Sequence, residues 1–82
     1  MEAIARTPGQ FANAFRERRR KLGLTQEQLA ERVGVRQKTV SEIENSGTAR
    51  LSTVLRALSE LDLELVVRPR TRRSVREIAE IF

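Results

Sequence analysis

Between Thr25 and Asn45, two short apolar patterns at helical spacing flank a single glycine, Gly34. Thr25-Gln26-Glu27-Gln28 reads as a capping box in which Gln28 reaches back to the Thr25 amide, so a helix starts there. Leu29, Ala30 and Val33 give that helix one apolar face, and Gly34 breaks it. Val40 and Ile43 form the inner face of the next helix, whose end is marked by Asn45-Ser46-Gly47. Ala30 is small where the two helices would approach most closely, and Gly34 stands where a sharp turn needs positive φ. Together with Val35, these apolar positions predict a helix-turn-helix rather than an ordinary helical hairpin.

The flanking sequence supplies the rest of a small domain. Thr7-Pro8 reads as an N-cap followed by proline at the first helical position, and Gly23 as a stop. Phe11, Ala14, Phe15, Arg18 and Leu22 recur at helical spacing between them, with the Arg18 stem able to cover the stripe. Leu51, Val54, Leu55, Leu58 and Leu61 give a fourth helix. The period then shortens to two: Leu63, Leu65 and Val67 alternate with Glu64 and Val66, and Pro69 closes the run. A lone strand in a helical chain has two unpaired edges. Pairing with its own copy across a twofold axis satisfies it, which predicts a homodimer; the alternative is an extended linker. Arg68-Pro69-Arg70-Thr71-Arg72-Arg73-Ser74 has no acidic residue and no apolar anchor, as a basic linker would. Ser74-x-x-Glu77 is a further capping box, and Val75, Ile78, Ala79 and Phe82 make a short amphipathic helix.

The expected architecture is therefore all-α. An arm spans residues 1–7, a four-helix domain 8–61, a dimerisation strand 62–68, a basic linker 69–74 and an amphipathic tail 75–82.

Composition narrows the function. An 82-residue chain without cysteine or histidine offers no disulfide framework, no zinc finger and none of the usual acid/base or nucleophile sets. No catalytic residue, metal site, cofactor or small-molecule substrate is expected, and an enzyme is not. Three Phe and no Trp or Tyr argue against stacking single-stranded bases on aromatic platforms. Sixteen Lys and Arg against eleven Asp and Glu give a net charge of +5, which favours a polyanionic partner or else a solvated surface. No apolar run is long enough for a signal peptide or a membrane span, so a cytoplasmic location with no membrane partner is expected.

Leu22-Gly23-Leu24-Thr25-Gln26, Leu29-Ala30, Gly34-Val35 and Thr39-Val40-Ser41-Glu42-Ile43-Glu44-Asn45 resemble the Cro/xenobiotic-response-element repressors across about residues 11–61. The resemblance implies a lambda-repressor-like bundle that binds double-stranded operator DNA as a dimer. It places Arg36, Gln37, Lys38 and Ser41 along the start of a recognition helix, as candidates for reading bases. The chemistry fits: Gln pairs bidentately with adenine N6/N7, and Arg or Lys with guanine O6/N7. Arg36 and Lys38 could equally neutralise phosphates. Gln26 would hydrogen-bond a phosphate, with Thr25, Thr39, Asn45, Ser46 and Thr48 as further backbone contacts that set register without reading sequence. The resemblance also pairs Glu44 with Arg19 behind the recognition helix, so Glu44→Arg is expected to loosen or unfold the domain.

The run of Leu51–Leu61 into Leu63-Glu64-Leu65-Val66-Val67 resembles the HipB-type antitoxins within that family. That branch implies strand pairing at a dimer axis, repression of the protein's own operon in a bacterial nucleoid, and binding of a HipA-like kinase toxin. The tail residues Val75, Ile78, Ile81 and Phe82 would suit docking into a partner's groove, or would fray, or would fold back on the dimer. A stand-alone phage-like repressor and an adaptor that no longer binds DNA remain as alternatives.

Overall fold

Thr7 and Pro8 open the first helix as their chemistry requires. The Thr7 hydroxyl oxygen accepts the Gln10 amide at 3.1 Å, and Pro8, lacking an N–H, fills the first helical position. The computed structural model describes residues 2–70. Its four helices are α1 (Pro8–Lys21), α2 (Gln26–Val33), α3 (Gln37–Ser46) and α4 (Leu51–Glu60). The capping box at α2 is closed in both directions: Thr25 Oγ1 accepts the Gln28 amide at 3.0 Å, and Gln28 Oε1 accepts the Thr25 amide at 2.9 Å. Gly34 and Gly47 end α2 and α3 with φ of 83° and 68°.

α3 lies against both α1 and α2, and α2 also packs on α4. The core at this junction is Phe15, Leu29, Ala30, Val33, Val40, Ile43, Ala57, Leu58 and Leu61, with Phe11, Leu24, Val35, Val54 and Leu63 packed around it. Burying side chains of the size of Phe15, Leu29, Ile43 and Leu61 contributes about 1.5–3 kcal/mol each relative to leaving them exposed. At Gly47 a Cβ would collide with the Pro8 carbonyl, so the end of α3 is pressed against the start of α1.

Two faces differ from those the spacing predicts. In α1 the buried positions are Ala12, Phe15 and Arg19, while Leu22 is exposed. Arg18 is half-buried and caps another helix instead: its Nε–H donates to the Leu61 carbonyl at 2.9 Å, where unpaired carbonyls gather a partial negative charge. In α4 the inward residues are Val54, Ala57 and Leu58, with Leu61 just beyond, and Leu51 and Leu55 face out. α4 closes with Asp62 at φ 56°. Leu63 N–H reaches Leu58 O at 2.8 Å, and Asp62 N–H reaches Ser59 O at 3.0 Å. This is a Schellman cap with a non-glycine residue in the left-handed position.

Beyond the cap, the described chain has no regular secondary structure, and no strand is assigned among the described residues. Leu63 meets the core, but Leu65 and Val67 are 51% and 93% exposed. A ladder needs a second edge, and among the described residues no strand is assigned that pairs with this segment. The tail with Val75, Ile78, Ile81 and Phe82, and the linker beyond Arg70, lie outside the described residues.

Candidate nucleic-acid interface

The start of α3 is exposed. Arg36, Gln37 and Lys38 are all exposed, and Arg36 occupies the N-cap without a side-chain cap bond. The start of α3 thus carries two exposed cations, Arg36 and Lys38, beside the partial positive charge of a helix N-terminus, an arrangement suited to anions. Thr39 and Ser41 are half-buried on the same helix. Lys38 Nζ sits 3.9 Å from Glu42 Oε1, an exposed pair one turn apart that partly offsets the positive charge.

The candidates for backbone contacts fall at two ends. Thr25 and Gln26 start α2, next to the start of α3; Gln37 Nε2 lies 3.4 Å from Gln26 Oε1. The Thr25 oxygen already accepts the Gln28 amide, which leaves its hydroxyl proton to donate. Asn45, Ser46 and Thr48 are exposed at the other end of α3. There Asn45 Nδ2 donates to Ser41 Oγ at 3.2 Å, Ser46 Oγ donates to the Glu42 carbonyl at 2.8 Å, and the Ser46 and Thr48 hydroxyls meet at 2.7 Å. At about 1.5 Å of rise per residue, α3 itself runs roughly 14 Å from Gln37 to Ser46.

Behind this face lies a buried ion pair. Arg19 Nε and Nη2 donate to Glu44 Oε2 and Oε1 at 2.6 and 2.9 Å, and Arg19 Nη1 donates to the Leu24 carbonyl at 2.8 Å. The Glu44 side chain is 1% exposed and that of Arg19 10%. The hydrogen bond to Glu44 raises the Arg19 pKa above its ordinary value, against a smaller opposing effect of burial. Arg16 joins from one turn earlier, its Nη2 donating to the Glu44 carbonyl at 2.5 Å and its Nε standing 3.8 Å from Glu44 Oε1. Sequence reasoning did not single out Arg16, although it lies three residues before Arg19 on the same face of α1. Gln26 also has an additional partner, its Nε2 lying 3.3 Å from Glu44 Oε1. One face of α3 is thereby tied to α1 and α2, and the opposite, polar face is presented to solvent.

Two short helices crossing at a glycine turn, with a braced second helix showing cations and an amide at its start, define a DNA-binding helix-turn-helix protein. Residues 15–67 match the helix-turn-helix family. Antitoxin HipB of Escherichia coli (strain K12) is 36% identical over 62 residues, which cover 74% of this chain and 70% of HipB. The fold is also that of solved HipB structures. The HipB–O4 20mer complex aligns with a TM-score of 0.76 and 32% identity over 87% of this chain and 100% of that one. The HipA–HipB–O2–O3 complex gives 0.74 and 32% over the same shares. The chain belongs to the helix-turn-helix family of the xenobiotic-response-element type and, within it, to the HipB-like antitoxins. Among the described residues no helix is long and apolar enough to cross a membrane.

Proposed function

We propose that this chain is an autorepressor and antitoxin that binds operator DNA as a homodimer and neutralises a HipA-like kinase toxin. The observation that carries the DNA half is the exposed start of α3. Arg36, Gln37 and Lys38 project from a helix whose other face is fixed by Glu44. In this reading Gln37, Arg36, Lys38 and Ser41 contact bases, while Thr25, Gln26, Thr39, Asn45, Ser46 and Thr48 hold phosphates and set the register.

The dimer half draws on the segment after Asp62. Leu63 anchors the segment to the core, and the exposed Leu65 and Val67 with their backbone offer an edge to the same segment of a second copy. The toxin half draws on the relatives, since HipB is solved in a complex with HipA. Val75, Ile78, Ile81 and Phe82 form the additional docking element of this reading.

Co-purification of the chain with the product of the adjacent reading frame, repeated with a chain ending at residue 73, tests the toxin assignment. Capture by the full chain and weakened capture by the shortened one are expected. A chain that captures nothing from that frame yet still binds its upstream DNA is a stand-alone repressor.

A further inference from the structure

Two residues that bound the segment after α4 cannot donate to a ladder. The Leu63 N–H already reaches Leu58 O at 2.8 Å, and Pro69 has no N–H. In an antiparallel pair, opposite residues exchange backbone hydrogen bonds only at every second position. Leu63, Leu65, Val67 and Pro69 therefore fall at the positions that do not exchange. Glu64, Val66 and Arg68, whose amides take no partner among the described residues, are left to do so. Alternation divides the side chains in the same way. Leu63 meets the core, so the odd-numbered residues make an apolar side, and Glu64, Val66, Arg68 and Arg70 make the other.

Along that second side the segment begins acidic and ends basic, an order complementary to itself when run antiparallel. A slip of one residue between two copies would set apolar residues against charged ones. Centring the pair on Leu65 leaves Glu64 facing Val66, with the two copies of Glu64 on a diagonal. Centring it on Val67 puts the two copies of Arg68 on a diagonal. Centred on Val66, each Glu64 faces the partner's Arg68, with the partner's Arg70 on its diagonal, and Leu65 faces the partner's Val67. We propose that Glu64 and Arg68 make this segment a self-recognising edge. It pairs antiparallel with a second copy about Val66, and its charge order selects its own kind over strands of other sequence. This rests on the reading of residues 62–68 as a dimerisation strand and adds its register and its selectivity.

Charge exchange in the full chain, followed by sedimentation equilibrium at low salt, tests the pairing. Glu64→Arg and Arg68→Glu should each weaken the homodimer by about fivefold or more, because like charges then face each other twice. An equimolar mixture of the two variants should form the mixed dimer in preference to either parent. The double exchange, Glu64→Arg with Arg68→Glu, should restore most of the lost affinity. Cysteine cross-linking reads the register separately, in a chain with no cysteine of its own. Val66→Cys should oxidise to a covalent dimer, and Leu65→Cys should do so efficiently only when mixed with Val67→Cys. Single exchanges that dimerise as the unaltered chain does would overturn the proposal. So would Leu65→Cys linking to itself as readily as to Val67→Cys. An unaltered chain that stays monomeric removes the dimer itself, a failure distinct from that of the register.

Discussion

Arg19 and Glu44 show how much one buried pair can decide. Removing one partner of such a pair leaves the other charge buried and alone, at a cost of about 3–5 kcal/mol. Glu44→Ala should therefore consume much of the stability of so small a domain, measured by urea denaturation at neutral pH. Replacing both Arg19 and Glu44 by methionine should cost clearly less than Glu44→Ala alone. Equal losses would mean that the pair is not what holds the site. The pair should add no pH dependence through Arg19 in the ordinary range. Its folded pKa is raised, so its contribution is complete below the ordinary arginine value and is lost only as pH rises through the still higher folded one. Glycines sort differently. Gly34 and Gly47 both have positive φ, but a Cβ at Gly34 meets nothing within 4 Å, whereas one at Gly47 meets the Pro8 backbone. Gly34→Ala should cost about 1 kcal/mol and Gly47→Ala distinctly more, read as shifts in melting temperature. Of these residues, the Arg19–Glu44 pairing was implied by family resemblance. Apolar spacing pointed elsewhere on α1, to Arg18 and Leu22, because a periodicity of hydrophobic residues does not register a charged residue drawn inward by a buried partner.

At the scale of elements, the first three helices were legible because each has a start or stop written in local chemistry: Thr7-Pro8, the Thr25–Gln28 box, Gly34 and Gly47; the fourth was legible from its apolar spacing alone. The face of α4 was less so. Leu51 and Leu55 fit a helical stripe as well as Leu58 does, yet they stand clear of α2, and the small Ala57 is buried in the contact instead. Residue size at a close approach is set by the neighbouring helix, and one helix's own spacing does not contain it. The Asp62 cap was likewise hidden, since aspartate is an uncommon left-handed residue. Asp62→Gly should leave the fold intact and stabilise it by about 0.5–1 kcal/mol. The weak contact to Arg18 at 4.0 Å is too exposed to offset that gain. α3 carries the specificity prediction. Gln37→Ala should alter base preference at one position by about 1–3 kcal/mol, whereas loss of a phosphate contact at Thr48 should weaken all sequences alike. Quantitative binding to a panel of single-base operator variants separates the two.

For the whole molecule, the proposed dimer is the step that a single chain cannot display. The alternation of Leu63, Leu65 and Val67 was readable, but the second edge that would turn it into a strand belongs to another copy in the proposed assembly. Leu65→Asp combined with Val67→Asp should dissociate the dimer in sedimentation equilibrium while leaving the helical content unchanged, because both residues lie outside the core. Loss of helicity along with the dimer would contradict that division of labour. The central claim concerns DNA, and one titration tests it most directly: binding of the chain to its own upstream DNA across a salt series. Neutralising phosphates with the cations and amides around α3 predicts a linear fall of log K with log salt, with affinity dropping about 10³-fold or more between about 50 and 200 mM. Binding that is absent, or that is flat across the series, would contradict the account.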